Sequence, residues 1–157
     1  MSITIDYFFN SEVPLSVLTS QINHVLGCSL SSYDGNPEDL FCRVLGMELS
    51  LNGDHGFERD HGLNFEDYRF LLCTRTAVPD GNLRPIQLEF MALAAFVLHQ
   101  RLSVHSGMLT FDVQRLLAQY ELVEDNWVDH VSGKPVRFPD HLFDLRTQIA
   151  DRDWPAA

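Results

Sequence analysis

Residues 45–75 read LGMELSLNGDHGFERDHGLNFEDYRFLLCTR, and the two ends of this stretch decide the fold class. Leu45, Met47, Leu49 and Leu51 alternate with Gly46, Glu48 and Ser50, and further on Tyr68, Phe70, Leu72 and Thr74 alternate with Arg69, Leu71, Cys73 and Arg75. Alternation with a period of two is the signature of a strand lying on a core. We therefore expect one strand over residues 41–51 and another over 68–75, paired antiparallel, with residues 52–67 projecting from their shared end. Connections in compact domains run to about 4 to 6 residues, so one this long and this charged points to a function.

Towards the N-terminus, Ile3, Ile5, Tyr7 and Phe9 alternate with Thr4, Asp6, Phe8 and Asn10, which predicts a first strand. A helix is expected to open at Ser11 or the Glu12-Val13 step, with Pro14 in a first turn whose N–H groups lack internal partners; Leu15, Leu18, Ile22, Val25 and Leu26 share one of its faces, and Gly27 is placed to stop it. Residues 29–39 read as a loop. Towards the C-terminus, residues 78–82 predict a turn, and a second helix runs from about Pro85 to Leu102. Its segment 90–98 is apolar on every side and is expected to be sandwiched, with His99 and Arg101 as cations at its C-terminal end. Residues 107–113 predict a fourth strand. Residues 112–120 read as a short helix capped by Asp112 and bearing Leu116, Leu117 and Tyr120, residues 132–135 as a turn, and residues 140–149 as a last helix. The order strand, helix, strand, strand, helix, strand matches a split βαβ pattern. The expectation is a single α+β domain over residues 1–150, with an antiparallel sheet of about four strands, two main helices and a C-terminal helical tail. Residues 151–157 are expected to fray.

The 157 residues, 45% of them hydrophobic, suit one core. The apolar run at 90–98 is about half of the roughly 20 residues that a membrane span needs, and no basic leader precedes an apolar stretch at the N-terminus, so a cytoplasmic protein is expected. Cys28, Cys42 and Cys73 are odd in number and show no Cys-x-x-Cys spacing, so they read as reduced core residues. A net charge of −11 repels nucleic acid and anionic lipid, and it attracts basic protein surfaces.

Within the long connection, Asp54-His55-Gly56 recurs as Asp60-His61-Gly62, with Glu58, Glu66 and Asp67 nearby. One chemistry this permits is a metal-assisted hydrolase using His55, His61 and a carboxylate. The spacing, however, matches neither a helical His pair nor a calcium loop, and no nucleophile elbow or phosphate-binding glycine loop occurs. The reading adopted is no catalytic residue, no metal and no cofactor. Phe57, Leu63, Phe65 and Tyr68 interleave with the acids, either as anchors for a partner or as pins that hold the loop to the domain. The expected partner-binding set is Asp54, His55, Phe57, Glu58, Asp60, His61, Phe65, Glu66 and Asp67. A structural or oligomeric subunit, such as a homodimer, is a further alternative.

Two segments carry a resemblance: Gly56-Phe57 through Asp60, Gly62, Leu63, Phe65 and Tyr68, and Leu109 to Tyr120 followed by Ser132-Gly133-Lys134-Pro135-Val136. In these the chain resembles the small acidic immunity proteins with which bacteria neutralise their own polymorphic toxins. The resemblance implies a non-enzymatic, cytoplasmic inhibitor of a cognate toxin domain, often a basic nuclease, that binds at or near the toxin's active site.

Overall fold

The computed structural model describes residues 3–32, 34–76 and 83–150. The expected turn at 78–82 and the expected frayed end at 151–157 lie outside the described residues. The elements run β1 (Ile3–Phe9), α1 (Leu15–Leu26), β2 (Ser31–Ser32), β3 (Asp39–Val44), β4 (Met47–Asn52), β5 (Phe70–Thr76), α2 (Leu83–Leu102), β6 (Ser106–Phe111), β7 (Arg115–Val123), β8 (Asn126–Asp129), β9 (Lys134–Pro135) and α3 (Asp140–Ala150). Among the described residues the strands form one nine-stranded sheet in the order β2-β3-β4-β5-β1-β6-β7-β8-β9, antiparallel at every pairing.

The α+β class fits, and β1, α2 and the tail helix lie where the sequence places them, whereas α1 opens only at Leu15, after the expected Ser11 or Glu12-Val13, because Pro14 stands in extended conformation as its N-cap. The sheet of about four strands is overturned. Residues 41–51 are not one strand, because the chain reverses at Leu45-Gly46, both with positive φ, and Val44 pairs with Met47. Successive positive φ values give the tight turn whose twist suits a hairpin, and leucine seldom signals it. The helix expected at 112–120 is also absent. Asp112 and Val113 both take positive φ and turn the chain from β6 into β7, with a register shift between Leu109 and Thr110. Asp112 is thus a turn residue and caps no helix. Glu124 and Asp125 repeat the device and lead into β8.

Alternation along β1 assigns its side chains to two buried faces. Ile3, Ile5, Tyr7 and Phe9 join Leu18, Ile22, Leu72, Met91, Ala95, Leu109 and Tyr120 in the main core beneath the helices. Helix α2 is not sandwiched throughout, since Ile86 and Leu93 face outward, and its Glu89 pairs with Arg146 of α3. His99 stacks on Trp127 at 4.7 Å, Trp127 stacks on Tyr120 at 4.2 Å, and the Tyr120 hydroxyl is hydrogen-bonded to His141 Nε2 at 2.6 Å. Burial pushes the pKa of both histidines down. His99 Nδ1 lies 3.0 Å from the Val104 carbonyl, a contact that favours the protonated ring, but burial outweighs it, so the stacked imidazole is better suited to packing than to the cationic role the sequence suggests for it.

Gly107 pairs with Phe9 and Tyr120, and the Tyr7 ring lies directly over its Cα. A side chain there would occupy the space of the Tyr7 ring, the central aromatic of the core, which stacks on Phe9 at 5.3 Å. We expect Gly107→Ala to lower stability by about 1–3 kcal/mol through overpacking, seen as a lower urea midpoint at unchanged slope. A midpoint equal to the wild type would show that Tyr7 has room to move.

Candidate functional site

The other face of β1 carries Thr4, Asp6 and Phe8, and helices do not cover it. Phe8 forms a second cluster with Phe65, Tyr68, Leu71, Cys73 and Met108, joined by Leu63, Val113 and Leu116. The connection between β4 and β5 therefore folds back over the sheet as its roof. Apolar side chains of the loop supply the underside, and its acids remain outside.

Several contacts fix the roof. Phe65 lies 4.8 Å from the Phe8 ring in a 3-10 turn, Phe65–Asp67, and is fully buried. The Phe57 N–H donates to His55 Nδ1 at 2.9 Å, so Nε2 carries the proton and donates to the Tyr68 carbonyl at 2.6 Å. The same imidazole meets Phe8 edge-on at 5.2 Å and stacks on Phe57 at 5.6 Å. Asn10 binds both sides of the loop's exit, donating to the Asp67 carbonyl and accepting from the Arg69 N–H, each at 2.8 Å. Gln119 of β7 donates to the Tyr68 hydroxyl at 2.7 Å. At the tip, Asp60 and Leu63 exchange two backbone hydrogen bonds around His61 and Gly62, both with positive φ. The glycine makes this tight reversal inexpensive.

Asp54, Glu58, Asp60, Glu66 and Asp67 are all exposed. Glu66 pairs with Arg59 at 3.1 Å, Asp67 accepts from Asn64 at 2.6 Å, and Asp60 accepts its neighbour's N–H while lying 3.6 Å from the His61 ring. The carboxylates of Asp54 and Glu58 have no ion pair or hydrogen bond among the described residues. His61 is exposed and Phe57 is 40% exposed. The sequence-derived set thus divides. Phe65 and His55 hold the loop from beneath, Phe57 bridges inside and outside, and the rest face solvent. Both nitrogens of His55 are committed to backbone partners, which leaves it no lone pair for a metal.

Sequence reasoning missed the residues under and beside the roof. Asp6 is almost fully buried and its Oδ2 accepts from the Thr4 hydroxyl at 3.2 Å, the Thr110 hydroxyl at 3.2 Å and the Val113 N–H at 2.9 Å. The Cys73 thiol donates to Oδ1 at 3.2 Å. Burial pushes this carboxyl up to about 6, against the lowering effect of its hydrogen bonds. Val113 sits at φ 55, a costly place for a β-branched residue, and the Asp112 N–H donates to the Thr4 carbonyl at 2.8 Å. The turn at 112–114 thereby forms the far wall of a groove of about 510 Å³, whose near wall is Phe57, Glu58, Asp60 and His61. The signal for Asp6 was a lone acid sharing a strand face with Phe8. No family model, curated protein or solved structure matches the chain.

Because the native pKa of Asp6 lies above its ordinary value of 3.8, the folded state holds a proton that the unfolded state releases between these limits. The cost of the buried charge is present in full above about pH 6 and is relieved as the pH falls towards 4. Relative to Asp6→Asn, the wild type should gain about 1 kcal/mol of unfolding free energy between pH 7 and pH 5. Parallel urea-unfolding curves for the two proteins across that range would contradict this assignment.

Proposed function

We propose that this chain is a non-enzymatic binding protein, a cytoplasmic immunity protein that captures a basic cognate toxin domain through residues 54–67. The observation that carries this reading is the two-sidedness of the loop: its apolar side chains are fastened to the sheet while five carboxylates stay in water on a fixed backbone. Anions held in place on an acidic protein steer a cationic partner and lose little entropy on contact, whereas Phe57 offers apolar area for holding it. The engagement of both His55 nitrogens counts against the alternative of a metal-assisted hydrolase. Among the described residues no helix is long and apolar enough to cross a membrane. That is compatible with a cytoplasmic site of action.

This reading predicts that a toxin is encoded beside this chain, and the test is capture of that toxin's C-terminal domain, followed by surface plasmon resonance at several salt concentrations. Changing Asp54, Glu58, Asp60, Glu66 and Asp67 to lysine should slow association by about tenfold or more at low salt and change dissociation far less. An unchanged association rate would remove the loop from the docking surface, and failure of the wild-type chain to bind the neighbouring domain would overturn the immunity reading.

A further inference from the structure

We infer that the groove between the acidic loop and the β6–β7 turn receives one arginine side chain of the basic partner, with its guanidinium over Phe57 and between the carboxylates of Glu58 and Asp112. This inference rests on the reading of the loop as a docking surface, and it adds a second, sequence-distant wall together with the chemistry of the group that enters.

Size, charge and pre-organisation agree on the occupant. The groove, about 510 Å³, falls within the range of roughly 300–1,000 Å³ typical of small-molecule sites, enough for one long side chain and its flanking backbone. Phe57 is both an exposed large hydrophobe and a lining residue, and the stacked His55 ring backs it. Opposite it, Asp112 and Gln114 are exposed on the turn. The groove also has a cation of its own, Arg59, but Glu66 holds that guanidinium. Glu58 and Asp112 have no side-chain partner among the described residues, so the unbalanced charge at the groove is negative. Asp60 adds to it in part, since His61 shares its carboxylate.

These features select arginine over lysine. A planar, weakly hydrated guanidinium stacks on an aromatic face and offers paired N–H groups to carboxylates, whereas an ammonium is compact and keeps its water. The far wall does not have to be ordered on binding. Asp6 holds the Val113 N–H and Thr4 holds the Asp112 N–H, so the turn is already in place.

The experiment is a 15N–1H NMR titration of the full chain with acetyl-Gly-Arg-Gly-amide, run beside the matching citrulline and lysine peptides. The arginine peptide should give saturable shifts of the amides of Phe57, Glu58, Asp112 and Gln114, citrulline none, and lysine binding weaker by about threefold or more. Phe57→Ala, Glu58→Gln and Asp112→Asn should each weaken the arginine peptide by about threefold, and asparagine tolerates the positive φ at 112 so that the turn survives. Absence of saturable shifts, equal binding of citrulline, or shifts confined to the acidic loop with Asp112→Asn unaffected would each overturn the inference. The last two outcomes leave the loop reading standing, because that reading fails on a different result, an unchanged association rate of the partner domain after charge reversal.

Discussion

The carboxylate of Asp6 is the point at which three neighbouring strands of the sheet and the turn between β6 and β7 meet. It sits in the central strand and takes donors from β1, from β5 through Cys73, from β6 through Thr110 and from the following turn through Val113. A buried carboxylate that forms no ion pair among the described residues is expensive, and its raised pKa reflects that. It is tolerated because four donors converge on it. An apolar side chain here would leave those donors unsatisfied, with the largest consequence at Val113, whose unfavourable φ depends on a strong acceptor for its N–H.

A second constraint follows from β1 having two buried faces. Helices cover only one face of the sheet, and Phe8, Leu71 and Met108 on the other would be left in water. The long β4–β5 connection covers them, which accounts for its length and for the spacing of Phe57, Leu63 and Phe65 among acids. The same arrangement gives the acids a fixed position. Once the underside is buried, backbone freedom in the loop is already lost to folding, and binding a partner need not supply it again.

Much of this was legible in the sequence wherever a single local signal suffices. Alternation in β1, the apolar stripe of α1 with Gly27 at its end, and the length of the β4–β5 loop all describe what the chain does. Other features failed for identifiable reasons. The reversal at Leu45-Gly46 uses leucine in a conformation that tertiary pairing imposes, so an unbroken alternation concealed two strands. Leu116 and Leu117 fit a helical period as readily as a strand whose two faces are both partly covered. The site was half visible. Its acidic wall is contiguous in sequence, whereas Asp112 and Gln114 reach it only through the pairing of β6 with β1 and the buried anchor at Asp6.

Charge and shape have separate parts in the docking we propose. The net charge of −11 acts at the range of a Debye length, about 10 Å at 0.1 M salt, and it draws any sufficiently basic surface without discriminating among them. Discrimination has to come from features that reward one geometry. Here the exposed face of Phe57, one carboxylate on each wall that is unpaired among the described residues, and a hairpin turn fixed from the core form a recess that a diffuse positive patch cannot use. A protein facing many basic competitors gains selectivity from such a recess only if its walls hold their separation. In this fold that separation is set by the central strand, since Phe8 supports the near wall and Asp6, one step along the same face, supports the far one.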